Sequence, residues 1–211
     1  MNELLLIRHA ERIHARNGLT GAWTDSGLTE RGRRQAEATG RRLAELLADR
    51  PFAVYASDLR RARETAEIIA GRLQSVPRLD AGLREFNNGQ AANMPEEEAR
   101  RIRVPPPPRR EEALDWAPYP GAETWRAMAE RVVTCLDRIA QECEGTPVVV
   151  THWAPGQIAV LWWLGLADRL AATLIAFDLD LCSITHLTIN RWEERTIAKL
   201  NDTTHLGDTG A

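Results

Sequence analysis

Side chains that carry or can accept positive charge follow three predicted strands at the point where each strand ends. Arg8 and His9 come directly after the apolar run ELLLI. Arg61 lies at the start of the helix predicted after FAVYA, and His152 follows PVVVT. Burying such groups is costly unless each one meets a partner. The chain therefore either exposes them by accident or directs them at a shared anion.

Apolar periodicity and turn residues predict the elements that must position these groups. Strands are predicted over 3–8, 52–56, near 78–80 and 147–151. Helices are predicted over 30–49, from just after Ser57 or Asp58 to about 72, over about 122–142, and from Pro155 through Leu166. Thr29 is the predicted N-cap of the first helix, and Ser57 or Asp58 that of the second. SITHLTI and TIAKL predict a terminal hairpin, whereas residues 10–28, LREFNNGQAANMPEEE and the frayed tail NDTTHLGDTGA are predicted to be irregular.

Alternating strands and helices predict an α/β fold with three layers, in which helices cover both faces of a mostly parallel sheet. The C-terminal hairpin adds antiparallel strands. We expect one domain over residues 1–211, with a cap-like loop region at about 86–121 that includes four consecutive prolines. Ligands of open α/β sheets bind outside the carboxyl ends of the strands. A single histidine there is usually structural, so the argument depends on several such groups sharing one rim.

Composition limits the classes of partner. The 211 residues are 44% hydrophobic and 27% charged, with a formal charge of -3, which argues against non-specific nucleic-acid or anionic-membrane binding. We find neither a signal peptide nor an apolar run of the roughly 18 residues that a membrane span needs. Three cysteines without a CxxC pair argue against a disulfide framework or zinc cluster and favour a cytoplasmic protein. Exposed tryptophans would favour a homodimer.

A set of short motifs carries a resemblance to a known family. The motifs are RHAE from Arg8, LTERGRRQA from Leu28, SDLRRARETA from Ser57, LRE with Gly89, PGAET from Pro120, and VVTH ending at His152. In this order they resemble the histidine phosphatase superfamily, the phosphoglycerate-mutase-like proteins, and in particular its bacterial phosphatase branch. The similarity covers essentially the whole chain.

The resemblance implies a phosphoglycerate-mutase-like fold and a cofactor-independent phosphatase that works through a phosphohistidine. His9 would be the nucleophile, and Glu85 the general acid and then the base, for which it must carry a proton in the first step. His152, Arg8 and Arg61 would surround the phosphoryl oxygens. Asn17 could donate to phosphate as well, although its loop is longer than the motif expects. Arg60 is the alternative choice for the pocket cation, but the offset within the motif favours Arg61. The resemblance implies no metal or other cofactor.

Three departures from the family pattern concern the substrate more than the chemistry. Ala10 and Trp153 replace the glycine that follows each histidine, and the run from Gln90 to Asn93 replaces an aromatic-acidic-glycine run. The large ring of Trp153 would lie beside the pocket and narrow it. The sequence therefore predicts a small phosphomonoester as the partner without naming it.

Two other functions stay open at this level. A phosphoglycerate mutase would share the motifs, but mutases of this family usually carry a longer insertion where this chain has the short proline-rich segment. A non-enzymatic binding module could use Pro105 to Pro108, with Arg109 and Arg110, to dock an aromatic groove. Loss of phosphatase activity in His9→Ala, against retention of peptide binding, would separate an enzyme from such a module.

Overall fold

A computed structural model describes residues 1–167 and 175–209 of the chain. The five helices of this part are α1 (Glu30–Leu47), α2 (Arg60–Arg72), α3 (Glu96–Arg101), α4 (Trp125–Glu142) and α5 (Trp153–Trp163). Its strands are β1 (Glu3–Arg8), β2 (Phe52–Ala56), β3 (Arg78–Leu79), β4 (Thr146–Thr151), β5 (Ile184–Ile189) and β6 (Arg195–Asp202). No helix among these residues is both long and apolar enough to cross a membrane.

The six strands form one sheet in the order β3-β2-β4-β1-β5-β6. The first four of these are parallel, and β5 and β6 form an antiparallel hairpin on the edge beside β1. Strand β1 shows why helices cover both faces. Its alternate residues Leu5 and Ile7 pack with α1 and α2, whereas Leu4 and Leu6 pack with α4 and α5. The predicted three-layer α/β fold with a C-terminal hairpin is confirmed.

The beginning of α2 differs from the prediction. Thr29 caps α1 as expected, accepting a hydrogen bond from the Gly32 N–H at 3.0 Å. Neither Ser57 nor Asp58 caps α2, whose N-cap is Leu59. Because Asp58 is held in an ion pair by Arg84, the first N–H of α2 is bound instead by Asp25, from the loop before α1.

The predicted frayed tail is wrong over its described part. Asn201 and Asp202 continue β6, and two short 3₁₀ turns over Thr204–Thr209 follow. Leu206 is buried in a small cluster with Ala36 and Ala38 of α1, so the tail covers apolar surface that α1 would otherwise expose. Residues 210–211 of the predicted tail lie outside the described part of the chain.

Other differences concern element ends and short elements. Helix α4 begins at Trp125 rather than near residue 122, and α5 runs from Trp153 to Trp163 instead of from Pro155 to Leu166. The segment predicted as irregular around residues 83–98 contains the start of α3, and a 3₁₀ turn forms at Ile13–Arg16. These turns are too short for hydrophobic periodicity to reveal them.

The two ends of the segment 86–121 meet at a close backbone contact. The N–H of Gln90 donates to the Pro120 carbonyl at 3.0 Å, and that of Glu123 donates to Asn87. A Cβ on Gly89 would stand 2.4 Å from the Pro120 carbonyl oxygen, and the φ of this residue is +53°. Glycine is therefore required where the two ends of the segment meet.

Candidate active site

Strand register places the two histidines side by side. In the parallel pairing of β1 with β4, Arg8 lies opposite Thr151, so His9 and His152 are the next residues on two adjacent strands. Their ring centroids are 5.0 Å apart, and both rings are buried. The expectation that strand ends bring these side chains to one rim agrees with this geometry.

His9 is held as a neutral imidazole with a defined tautomer. Its Nδ1 lies 2.8 Å from the carbonyl oxygen of Ala10, which can only accept, so the ring proton is on Nδ1. Nε2 is left with a lone pair and accepts a hydrogen bond from Arg61 Nε at 3.2 Å. Burial lowers the pKa of His9 well below its usual value, and the charge of Arg61 lowers it further.

His152 is held through its other ring nitrogen, Nε2. Its Nε2 lies 2.8 Å from Ser57 Oγ, and that oxygen also accepts from the Leu59 N–H. The Ser57 hydroxyl has a proton that no described residue other than His152 accepts, and when this proton is donated to Nε2 the ring proton of His152 is on Nδ1. Nδ1 is buried and has no hydrogen-bond partner among the described residues. Burial, followed by the charge of Arg61, lowers the pKa of His152 well below its ordinary value, so this N–H belongs to a neutral ring.

Arg61 is the buried arginine beside His9, whereas Arg60 lies at the surface in an ion pair with Glu64. The side chain of Arg61 is 1% exposed, and its remaining donors bind the carbonyls of Thr24 at 3.0 Å and Ala22 at 2.7 Å. Burial lowers the pKa of Arg61 to about 10, which still leaves it charged at neutral pH. Its guanidinium is therefore fixed in position before any ligand binds.

Arg8 approaches the same rim from the end of β1. One terminal nitrogen donates to the Leu179 carbonyl at 2.6 Å, and its Nε is buried with no partner among the described residues. Burial lowers the pKa of Arg8, and the positive charge of Arg12 adds to that effect. A half-buried cation with an unused donor is suited to an anionic guest.

Arg12 is a member of the cluster that the sequence did not reveal. Its charge lowers the pKa of Arg8, His9 and His152, which places it within electrostatic range of all three. Arg12 Nε donates to His14 Nε2 at 2.8 Å, and His14 Nδ1 in turn lies 2.6 Å from Ser26 Oγ. Arg12 lies neither at a strand end nor within a family motif but precedes the turn over Ile13–Arg16, so the sequence gives no sign of its role.

Glu85 is half-buried, and its carboxyl group is fixed from one side. Oε1 accepts from the N–H of Phe86 at 2.9 Å and from that of Ala154, in the first turn of α5, at 3.2 Å. No described residue donates to Oε2, so this oxygen is available to exchange a proton with a bound ester. The charge of Glu85 acts on Arg8, Arg12 and Arg61, so one carboxylate faces three guanidinium groups.

Asn17 is not brought into this cluster. It is exposed at the end of the 3₁₀ turn, where its backbone N–H binds the His14 carbonyl. Among the residues that the structure describes, no group of three or more His, Cys, Asp or Glu side chains could hold a metal ion. The cluster thus offers cations and neutral imidazoles, an arrangement that complements a phosphoryl group.

The fold and this cluster define a class, namely α/β proteins that bind an oxyanion around a pair of histidines. Residues 4–203 match the family described as the histidine phosphatase superfamily, branch 1. The chain belongs to that superfamily, which confirms the family and the class of enzyme that the motifs predicted.

Relatives of this chain include both mutases and phosphatases. A probable phosphoglycerate mutase of Erwinia tasmaniensis is 30% identical over 99% of this chain and 97% of its own length. Phosphoserine phosphatase 1 of Hydrogenobacter thermophilus is also 30% identical, over 99% of this chain and 96% of its own. The solved structure of a mycobacterial glucosyl-3-phosphoglycerate phosphatase has a TM-score of 0.78 at 23% identity, covering 96% of this chain and all of that one, which shows the shared fold.

Proposed function

We propose that this protein hydrolyses small phosphomonoesters by transferring the phosphoryl group first to His9 Nε2 and then to water. The observation that carries the proposal is the fixed tautomer of His9. Its Nδ1 proton is bound to Ala10, and the lone pair of Nε2 points toward the guanidinium of Arg61. A nucleophilic imidazole must be unprotonated at the attacking nitrogen, and burial favours that state here.

The proposed phosphate site consists of Arg8, Arg12, Arg61 and the Nδ1–H of His152. Three guanidinium groups around one dianion neutralise the charge that spreads over the equatorial oxygens in the transition state. Binding requires one exchange of partners: the Nε–H of Arg61 leaves His9 and donates to a phosphoryl oxygen. This exchange frees the nucleophile at the moment when the substrate arrives. Asn17 is not included, because it is exposed.

Glu85 handles the protons in both steps. As the bond between phosphorus and the ester oxygen breaks, Oε2 gives its proton to the leaving alkoxide, and the His9–phosphorus bond forms. In the second step the Glu85 carboxylate takes a proton from the attacking water. The phosphorus–nitrogen bond then breaks, its electron pair returns to Nε2, and inorganic phosphate leaves. Neither step requires a metal or another cofactor.

Phosphate release from a panel of phosphomonoesters, measured for the native chain and for His9→Ala, tests the proposal. The native chain should release phosphate from several members of the panel, and His9→Ala should fall to the background of buffer alone. Turnover that persists in His9→Ala would overturn the proposed nucleophile. A folded protein that releases phosphate from none of the esters would overturn the proposed reaction.

Transfer between the hydroxyls of phosphoglycerate is a second candidate, favoured by the similarity to a probable phosphoglycerate mutase. It would use the same phosphohistidine, with a second hydroxyl replacing water as the acceptor. Incubation with 3-phosphoglycerate separates the two reactions, because isomerisation without release of inorganic phosphate would favour the mutase.

The remaining expectations belong to this proposal. They are one domain with a cap-like segment at 86–121, a cytoplasmic location, a small phosphomonoester as partner without nucleic acid or membrane, and a homodimer. Light scattering on the purified chain measures the last of these directly.

A further inference from the structure

A cavity of about 530 Å³ opens from the proposed reaction centre toward the segment 86–121. Glu85, Ala22 and Ala154 line it at the end nearest the catalytic groups. Glu85 belongs to the proposed reaction centre, and the other two residues contact its members. The Ala22 carbonyl accepts from Arg61, and the Ala154 N–H donates to Glu85. A leaving group attached to a phosphate at His9 would therefore extend into this cavity, and the volume is typical of a small-molecule site.

Five aromatic residues line the cavity. The rings belong to Phe86, Trp116, Tyr119, Trp125 and Trp153. The indole nitrogens of Trp116 and Trp125 are both buried and have no hydrogen-bond partner among the described residues. Because these N–H groups are turned away from accessible space, the surface that the two residues give to the cavity is carbon. The wall thus favours a flat apolar group, which can stack or pack edge-to-face.

Charges around the cavity fit such a group better than they fit an amino acid. Glu85 is the one acidic side chain among the described residues that line it, and its proposed role is to protonate the leaving oxygen. The other charged residue is Arg103, whose guanidinium lies 5.9 Å from the centre of the Trp116 ring. An ammonium group on the substrate would find no second carboxylate here and would meet the like charge of Arg103.

Trp153 connects this wall to the chemistry. It directly follows His152, opens α5 and is 39% exposed, so a large ring is held at the edge of the reaction centre. Another part of the wall is braced by a backbone hydrogen bond of 2.9 Å from the N–H of Val104 to the carbonyl of Pro118, which itself lines the cavity. This bond holds Arg103 and Trp116 over the cavity, so the outer wall is built by the segment 86–121.

We infer that this cavity is a subsite for an aromatic leaving group, so that the substrates are phosphomonoesters of alcohols carrying an aromatic ring. The inference rests on the proposed function, since it takes the phosphate to lie at His9. It assigns specificity to the rings of Trp116 and Trp153 and gives the segment 86–121 a recognition role.

A matched pair of esters tests the subsite without changing the chemistry of the leaving oxygen. 2-Phenylethyl phosphate and ethyl phosphate both release a primary alcohol, so a difference between them reports the ring. We expect kcat/KM for the phenylethyl ester to exceed that for the ethyl ester by at least about tenfold, which corresponds to about 1.4 kcal/mol. Equal values for the two esters would overturn the inference.

Two variants locate the preference in the wall. Trp116→Leu and Trp153→Ala should each lower the ratio of the two kcat/KM values severalfold. Trp116→Leu is the more decisive variant, because Trp116 lies far from His152 along the chain, whereas Trp153 is the next residue after it. Trp192→Ala removes an exposed tryptophan from the turn between β5 and β6 and should leave the ratio unchanged. A ratio that persists in both wall variants would contradict the assignment.

Binding of the two corresponding phosphonates, measured by calorimetry, separates this inference from the proposed function. These compounds cannot be hydrolysed, so their affinities do not depend on turnover. A tenfold preference for 2-phenylethylphosphonate without phosphate release from either ester would retain the subsite and overturn the hydrolase. Phosphate release without any preference in either assay would retain the hydrolase and overturn the subsite.

Discussion

Among individual residues, the partner of the second ring nitrogen decides what each histidine can do. The Ala10 carbonyl can only accept, so His9 keeps its proton on Nδ1 and presents a lone pair at Nε2. When the Ser57 hydroxyl donates to Nε2 of His152, that ring presents an N–H at Nδ1. Two chemically identical rings 5.0 Å apart are thereby given complementary roles, one as nucleophile and one as donor.

Ser57→Ala tests this assignment. Without the hydroxyl, the Nδ1 tautomer of His152 is no longer fixed, and the donor to the phosphoryl group is lost for part of the time. Because a hydrogen bond contributes about 1 kcal/mol, kcat should fall about five- to tenfold. Steady-state kinetics on one phosphomonoester measures the change. Ser183→Ala, which removes a buried hydroxyl with no partner among the described residues, is the matched control. An unchanged kcat in Ser57→Ala would contradict the assigned tautomer.

The sequence predicts the site residues at strand ends well, because parallel register alone brings them together. Arg8, His9 and His152 need only β1 and β4 to pair as they do. Arg12 could not be predicted in this way, since its position depends on a loop fixed by His14 and Ser26. Asn17 does not join the cluster for a related reason. It follows the turn over Ile13–Arg16, which begins after Arg12, and it is exposed to solvent.

Among the elements, β4 and α4 together hold the loop that carries Glu85. Thr151 Oγ1 at the end of β4 donates to the Leu83 carbonyl at 2.8 Å. Arg131 of α4 donates to the carbonyls of Arg84 at 2.8 Å and Glu85 at 3.3 Å, and is itself held by Glu123. Trp23 Nε1 adds a hydrogen bond of 2.7 Å to the Glu85 carbonyl. The general acid proposed here is thus positioned by three separate parts of the chain.

Arg131→Met should weaken general acid catalysis while phosphate binding persists. We expect kcat/KM on an alkyl phosphate, which reports the steps up to release of the alcohol, to fall by about tenfold or more, since a positioned acid contributes about a hundredfold or more. The kcat/KM on 4-nitrophenyl phosphate, whose leaving group needs no proton, should be affected much less. Arg126→Met, on the exposed side of the same helix, is the control. Equal losses on both substrates would show that Arg131 does not act through Glu85.

Sequence patterns predict the long helices and strands but not the contacts that cap and support them. Long apolar strands and amphipathic helices were predictable, because burial on two faces fixes their periodicity. The cap of α2 was not, since Asp25 reaches it from a distant loop. The packing of Leu206 against α1 was likewise hidden, because a short polar tail carries no period. The supports of Glu85 share this property: nothing in the sequence around Arg131 indicates that it binds the carbonyls of Gly82, Arg84 and Glu85.

For the molecule as a whole, the burial of four histidine side chains affects stability. His9, His14, His152 and His205 all have pKa values lowered mainly by burial, that of His14 to about 4. In the unfolded chain each of them binds a proton near pH 6.5. Between that pH and the lowered values, the unfolded state therefore holds more protons than the folded state, so stability falls as the pH is lowered.

Urea unfolding between about pH 7 and pH 5 measures this dependence. Each histidine contributes a slope of up to about 1.4 kcal/mol per pH unit, and ordinary carboxyl groups of the unfolded chain titrate below this window. The free energy of unfolding should decrease steadily below about pH 6.5. His205→Asn, which removes a titrating ring on the α1 side of the tail, should make the slope shallower. A flat profile would contradict the buried, neutral state of the histidines.

The most direct test of the central claim is to trap the phosphoenzyme in Glu85→Gln during reaction with 4-nitrophenyl phosphate. This leaving group departs without the acid, whereas attack by water lacks its base, so the covalent intermediate should accumulate. After an alkaline quench, which preserves a phosphorus–nitrogen bond, peptide mass spectrometry should find one phosphoryl group, on His9. A burst of nitrophenol with no phosphorylated His9, or a phosphoryl group on another residue, would contradict the account.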